Sequence, residues 1–242
     1  MSSIRLPSFC LLLGLLLPIA AVARPASYTL DPVHTRVMFA VSHAGFSHAL
    51  GTVSGSTGTL VFDPDDWTTA QLQVSIPIAR FDLGDAKWNQ AVGARNLLDV
   101  QAHPVATFVS TRIEPKDANH AAVCGTLQLR DVGHEVCLDV TLNQLKRHPL
   151  PPFRRTAGFS ATATLSRKDF GITAWPGVIG DDVELRIEAE AIRSGRADAQ
   201  DAGRNDAEDA APVEPEAPVP ASTQTPASEP TSVPTSEPTP TP

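Results

Sequence analysis

Apolar residues recur at every second position over much of the chain. From Val37 they fall at Val37, Phe39 and Val41, with His43 in phase. Arg36, Met38, Ala40 and Ser42 form the smaller, more polar alternate set. Period two marks a strand with two unlike faces. The segment from Gly51 to Phe62 repeats the habit, with Val53, Leu60 and Phe62 in inward positions and Gly55 and Gly58 where a bulge or bend would go. Asp63-Pro-Asp-Asp ends it with turn residues. Joined between Gly45 and Leu50, these segments predict the first hairpin of an antiparallel sheet.

Later segments copy the pattern. Leu72, Val74 and Ile76 alternate with Gln71, Gln73 and Ser75. From Pro104 to Ile113 the favoured inward set is Ala106, Phe108 and Ser110, with Val105, Thr107 and Val109 competing for it. Val123, Leu127 and Leu129 share one face and Val136, Leu138 and Val140 the matching one, around a turn at Arg130. Gly158 to Arg167 is another strand, and Val183, Leu185, Ile187 and Ala189 alternate with Glu184, Arg186, Glu188 and Glu190. An amphipathic helix would space its apolar residues three and four apart, so this last segment is a strand. Between Asp85 and Leu98 the period is lost, and one short helix is expected there, capped by Asp85. The fold class is therefore all-β: eight mostly antiparallel strands, closed into a barrel because closure removes sheet edges.

A barrel of eight strands either fills its interior or holds a ligand there. The inward candidates are Phe39, Val41, His43, Leu60, Phe62, Val74, Ile76, Phe108, Leu127, Phe159, Ala161, Leu185 and Ile187. Small residues such as Ala161, Ala163, Ala189 and Gly125 leave room along the axis. Cys124 and Cys137 point outward together. They are directly opposed if the hairpin register centres near Asp131, which suits a disulfide; two free thiols remain the alternative if the register slips by one.

The two ends differ from this middle. Residues 1–23 read as a signal peptide: Arg5, an apolar run from Phe9 to Leu17, and Ala21-Val-Ala23 as the cleavage pattern. An uncleaved anchor is the alternative, disfavoured by the short run and Pro18. The mature chain then starts near Arg24, in the periplasm or secreted, where cysteines oxidise. Residues 194–242 hold no apolar residue larger than Val, ten of the 22 prolines, and two basic residues against nine acidic ones. Such a composition cannot offset its ordering entropy, so a disordered acidic tail is expected. The net charge of −8 lies mostly in that tail. Residues 24–193, one domain, are close to neutral and show no nucleic-acid footprint.

Catalytic and metal patterns are sparse. No His-x-His, Cys-x-x-Cys or His-Glu-x-x-His occurs among the seven histidines and three cysteines. His34 and His43, read on one strand at odd separation, face opposite ways and cannot share a metal. Arg167 and Asp169 sit beside a strand end, where tying the strand to a neighbouring loop outweighs catalysis. No catalytic residue, metal or cofactor is assigned.

The ordered motifs resemble those of the YceI-like, polyisoprenoid-binding proteins. They are Tyr28-Thr-Leu-Asp-Pro-Val-His34, Val37-Met-Phe39-Ala-Val-Ser-His43, Leu98-Asp-Val with His103-Pro-Val-Ala-Thr-Phe108-Val-Ser110, Gly125-Thr-Leu-Gln-Leu, and Gly158-Phe-Ser-Ala followed by Arg167-Lys-Asp-Phe-Gly171. The resemblance runs from about Tyr28 to Ile192. One element departs: where the family has Arg-Asp-x-His-Leu, this chain reads Asn89-Gln-Ala-Val-Gly-Ala-Arg95-Asn-Leu-Leu, with no His. The resemblance implies a lipocalin-like barrel holding an apolar isoprenoid chain, often that of a quinone, with the thirteen inward residues as its lining. The implied partners are a long-chain lipid and, transiently, the inner membrane; a homodimer stays open. Two other readings are carried forward: an envelope stress or interaction protein acting through its surface and tail, and an enzyme acting on a lipid headgroup with His43, Arg167 and Asp169 at the barrel mouth.

Overall fold

The computed structural model describes residues 25–195. The expected signal peptide and tail lie outside the described residues. The alternating segments form eleven strands: β1 (Ala26–Leu30), β2 (Arg36–His43), β3 (Ser47–Ser54), β4 (Thr57–Phe62), β5 (Gln71–Ile76), β6 (Phe81–Asp82), β7 (Ala106–Pro115), β8 (His120–Leu129), β9 (Val132–Arg147), β10 (Arg155–Ser166) and β11 (Ile179–Arg193). A helix, α1 (Ala86–Gly93), and three short 3₁₀ turns complete them. The sheet runs β1-β4-β5-β7-β8-β9-β10-β11 and closes through a β1–β11 pairing. It is a closed, eight-stranded antiparallel barrel.

Eleven segments fill eight ring places because three places are shared: by β1 and β2, by β3 and β4, and by β5 and the short β6. Arg193 to Ala191 of β11 pair with β1, whereas Glu188 to Val183 pair with β2. β1 and β2 thus share one place, divided by Asp31–Thr35. β3 and β4 share the next, divided at Gly55, whose φ of 83° suits a residue without a Cβ. The inward positions change parity across both breaks, from Leu30 to Thr35 and from Val53 to Ser56. The break also corrects the placement of His34. It sits in the corner before β2, because Asp31 Oδ1 accepts from the Val33 and His34 N–H groups and turns the chain. The face argument for His34 and His43 does not apply. The first hairpin is tighter than expected, turning at Ala44 to Phe46.

At the β2 end of the barrel, β6 pairs with β3 over only two residues. Beyond it the wall is completed by α1 and the loop that follows, with Trp88, Ala91, Val92, Leu97 and Leu98 facing the interior. Asp85 caps α1 as expected, its carboxylate accepting from the Lys87 and Trp88 N–H groups.

In β7 the inward set is Ala106 and Phe108, with Val105 and Val109 exposed. Ser110 departs from expectation. The register slips at Thr111, the Ser110 hydroxyl accepts the Leu72 N–H, and Ile113 takes the next inward place. A bulge changes the parity of every residue after it.

The β8–β9 hairpin places Cys124 opposite Cys137, and the two are bonded. Cys124 is buried under the Arg112 guanidinium, whose Nη2 lies 3.5 Å from its Sγ. The bridge closes a loop of sequence separation 13. Replacing both cysteines by Ala is expected to cost about 3 kcal/mol by loop entropy. Denaturant unfolding of the non-reduced protein and the variant measures it; equal midpoints would show that the bridge contributes nothing.

Candidate functional site

The barrel encloses a cavity of about 570 Å³. All thirteen residues expected to face inward line it, from Phe39, Val41 and His43 on β2 to Leu185 and Ile187 on β11. Small side chains at Ala49, Ala106, Ala161 and Ala189 keep the wall thin. The decisive feature is that many large lining residues are only half-buried, Val37, Phe39, Leu72, Val74, Ile76, Leu127, Phe159, Leu185 and Ile187 among them. In a close-packed interior such residues would lose nearly all their surface. Here they keep it, facing an open lumen.

One end is plugged by rings. Phe62 (1 % exposed) and the buried Trp67 meet edge-on at 5.0 Å between centroids, and Phe159 stands 5.7 Å from Phe62 and 6.5 Å from Trp67. Higher in the tube the end of the Phe39 ring lies over Gly51, occupying the space a Cβ would need.

The other end opens. Lining residues that are also solvent-exposed gather there: His43 at the end of β2, Trp88 and Ala91 on α1, and Trp175 and Val178 in the β10–β11 loop. His43 and Trp88 lie 5.5 Å apart between ring centroids. The Ala44 N–H donates to the Val178 carbonyl at 2.6 Å, tying the β2–β3 turn to that loop. Phe46, at the tip of the turn, is 93 % exposed. Trp88, Trp175 and Val178 escaped the sequence reading because they stand in a helix turn and a loop without strand period. A cluster of tryptophans in irregular segments was the only available signal.

Polar groups near the mouth serve structure. Arg167 is 5 % exposed, and its guanidinium donates to the carbonyls of Ile172 (2.6 Å), Gly180 (2.7 Å) and Ile179 (2.9 Å). It therefore fastens the β10–β11 loop, as the loop-tying reading expected. Asp169 is exposed and does not line the cavity, whereas His43 and Arg167 do. The trio required for headgroup chemistry is not gathered at the opening. Arg95 is exposed on the loop after α1 and is likewise outside the lining.

A comparison with known families decides the identity: the model of the YceI-like domain family matches residues 28–191. The chain belongs to the YceI-like family. Among curated relatives, a UPF0312 protein of Pseudomonas savastanoi is 32 % identical over 185 residues, covering 76 % of this chain and 95 % of the relative. A UPF0312 protein of Pectobacterium atrosepticum is 33 % identical over 174 residues, covering 72 % and 89 %. Among solved structures, Burkholderia cenocepacia BcnA superposes with a TM-score of 0.60 at 25 % identity, covering 66 % of this chain and 98 % of BcnA. A domain of Saccharophagus degradans described as polyisoprenoid binding superposes with a TM-score of 0.53 at 13 % identity, covering 70 % and 99 %, and shares the fold.

At the β1–β2 corner of this YceI-like barrel a carboxylate and a histidine are paired. The donor atoms of Asp31, His34 and Glu190 lie within 4.8 Å of one another, and His34 Nδ1 is 2.7 Å from Asp31 Oδ2. Burial pushes the Asp31 carboxyl up, but hydrogen bonds from the His34 ring and the Val33 and His34 N–H groups outweigh it and hold the group below its ordinary value. The hydrogen bond and charge of Asp31 lift His34 above its ordinary value; Glu190 adds to this, while desolvation and Arg36 oppose it. The Asp31 contribution to stability is present above the ordinary carboxylate pKa and lost as pH falls through the lowered value. That of His34 is full below the ordinary imidazole pKa and lost as pH rises through the raised one. The corner is thus tightest in the mildly acidic window between. In an NMR titration Asp31→Asn is expected to bring the His34 midpoint down toward its ordinary value. An unmoved midpoint would remove Asp31 as the cause.

Proposed function

We propose that the chain carries or sequesters an apolar isoprenoid lipid or quinone in the bacterial periplasm. The observation behind this reading is the tube itself, a continuous apolar lumen of half-buried large side chains, plugged at one end and open at the other. Burying one methylene is worth about 0.8 kcal/mol, so a forty-carbon chain offers a gross gain of roughly 30 kcal/mol. That exceeds the practical ceiling of about 18–21 kcal/mol for non-covalent binding, and ordering the chain consumes the surplus. Tight retention therefore needs little polar chemistry.

The rim supports loading from a bilayer. Phe46, Trp88, Trp175 and Val178 present exposed apolar surface around the opening, and aromatic rings favour the membrane–water interface. The Cys124–Cys137 bond suits an oxidising compartment and hence the export that residues 1–23 suggest. The test mixes delipidated full-length mature protein with phosphatidylethanolamine–phosphatidylglycerol vesicles holding a prenylated benzoquinone, then separates the two and assays the protein for quinone. Uptake is expected, slowed several-fold in Trp88→Ala/Trp175→Ala. No uptake by the wild-type protein would defeat the carrier reading, and equal rates would defeat the role of the rim.

A further inference from the structure

Besides Ser42, His43 and Arg167, three residues with polar atoms line the otherwise apolar lumen, and each is an orphan. Thr35 (2 % exposed), Ser56 (1 %) and Trp67 (5 %) all line it, yet Thr35 Oγ1, Ser56 Oγ and Trp67 Nε1 have no hydrogen-bond partner among the described residues. Buried polar atoms are nearly always paired, so three unpaired ones in one cavity require a partner from outside the chain. Their placement is not scattered. The β2–β3 register ends with Arg36 opposite Ser54, so Thr35 and Ser56 both stand within two residues of that last pair, where the two bent strands break. On the other flank Arg36 is opposite Glu188, so Thr35 follows beside Ala189; Ala189 faces Phe159, whose ring lies 6.5 Å from Trp67. The orphans thus border the deep, ring-lined part of the tube, away from His43 and Trp88 at the mouth.

We propose that Thr35, Ser56 and Trp67 form an internal polar subsite for the oxygen-bearing end of the ligand, which enters polar end first and trails its apolar chain toward the mouth. This rests on the carriage reading above and narrows its ligand class. The indole N–H can only donate, and each hydroxyl both donates and accepts. The matching group is one rich in acceptors, such as a ring bearing carbonyl or ether oxygens. Such a ring also has Phe62, Trp67 and Phe159 to pack against. A plain hydrocarbon would leave all three atoms unpaired, and a site with unpaired polar groups rejects the analogue that cannot pair them.

Delipidated full-length mature protein is titrated with a prenylated benzoquinone and, separately, with squalene. The wild type is expected to prefer the quinone by about tenfold or more. Thr35→Val/Ser56→Ala and Trp67→Phe are each expected to weaken quinone binding by a larger factor than squalene binding, so that the preference shrinks. Melting provides a second readout, because removing an orphan relieves the apo protein. The double variant's midpoint should equal or exceed the wild type's without ligand and fall below it with quinone bound. Equal affinity of the wild type for both probes, as water-filled hydroxyls would give, overturns the subsite while carriage stands. A preference that survives in both variants overturns it as well, and binding of neither probe defeats carriage and subsite together.

Discussion

Phe62→Ala is expected to destabilise the apo protein by about 3–5 kcal/mol, whereas Phe39→Ala costs clearly less and acts mainly on ligand retention. Phe62 is 1 % exposed and wedged edge-on between Trp67 and Phe159, so its removal leaves a void that the surrounding wall cannot close. Phe39 faces the same lumen but keeps part of its surface, with the end of its ring over Gly51. Deleting that ring enlarges a space that already exists in the apo protein. A ligand filling the tube would touch both rings and stabilise only the folded form. Denaturant unfolding of both variants, with and without a prenylated benzoquinone, separates the cases. An equal, large penalty for Phe39→Ala in apo and loaded protein would make Phe39 plain core and remove its face from the cavity.

Arg167→Leu is the second large effect, at about 3 kcal/mol or more. The guanidinium is buried and serves the carbonyls of Ile172, Ile179 and Gly180 at once. Hydrogen bonds to a charged group contribute about 1.5–3 kcal/mol each, and the loss leaves up to three acceptors unpaired. Water entering from the nearby mouth offsets part of it. The planar fork also fixes the order of rescue: Arg167→Lys has one nitrogen to offer three diverging carbonyls and should recover little. For a domain of this size the melting midpoint is expected to fall by roughly 6–12 °C. Hydrogen exchange between Ile172 and Gly180 should quicken more than in β8 and β9. Unchanged exchange in that loop would show that Arg167 is not its fastening.

Strand existence was legible wherever one face is apolar and the other meets water. β11 shows this in full, since Glu184, Arg186 and Glu188 mark the outside as clearly as Leu185 and Ile187 mark the inside. The disulfide was legible up to a one-residue slip of register, and the two-residue turn at Arg130 and Asp131 sets Cys124 opposite Cys137. What period two cannot report is where a strand bends and its inward positions change parity. That hid the β1–β2 and β3–β4 breaks and misplaced His34. Nor can it report where a bulge changes parity, which put Ser110 on the inward face in place of Ile113. The mouth was the least legible part. Trp88, Trp175 and Val178 come from a helix and a loop brought together only by the closed ring, and sequence spacing holds no trace of that meeting. Thr35 and Ser56 carry no signal in the alternation, and only the folded wall brings them to the lumen.

The central claim is that the tube holds one apolar chain. Native mass spectrometry of the full-length mature protein, exported and purified without detergent, tests it most directly. The predicted result is a single mass increment over the disulfide-bonded chain, removed by organic extraction and recovered in the extract as a long isoprenoid-type lipid. Bare protein mass in repeated preparations, with no increment after incubation with prenylquinone-loaded vesicles, would contradict it.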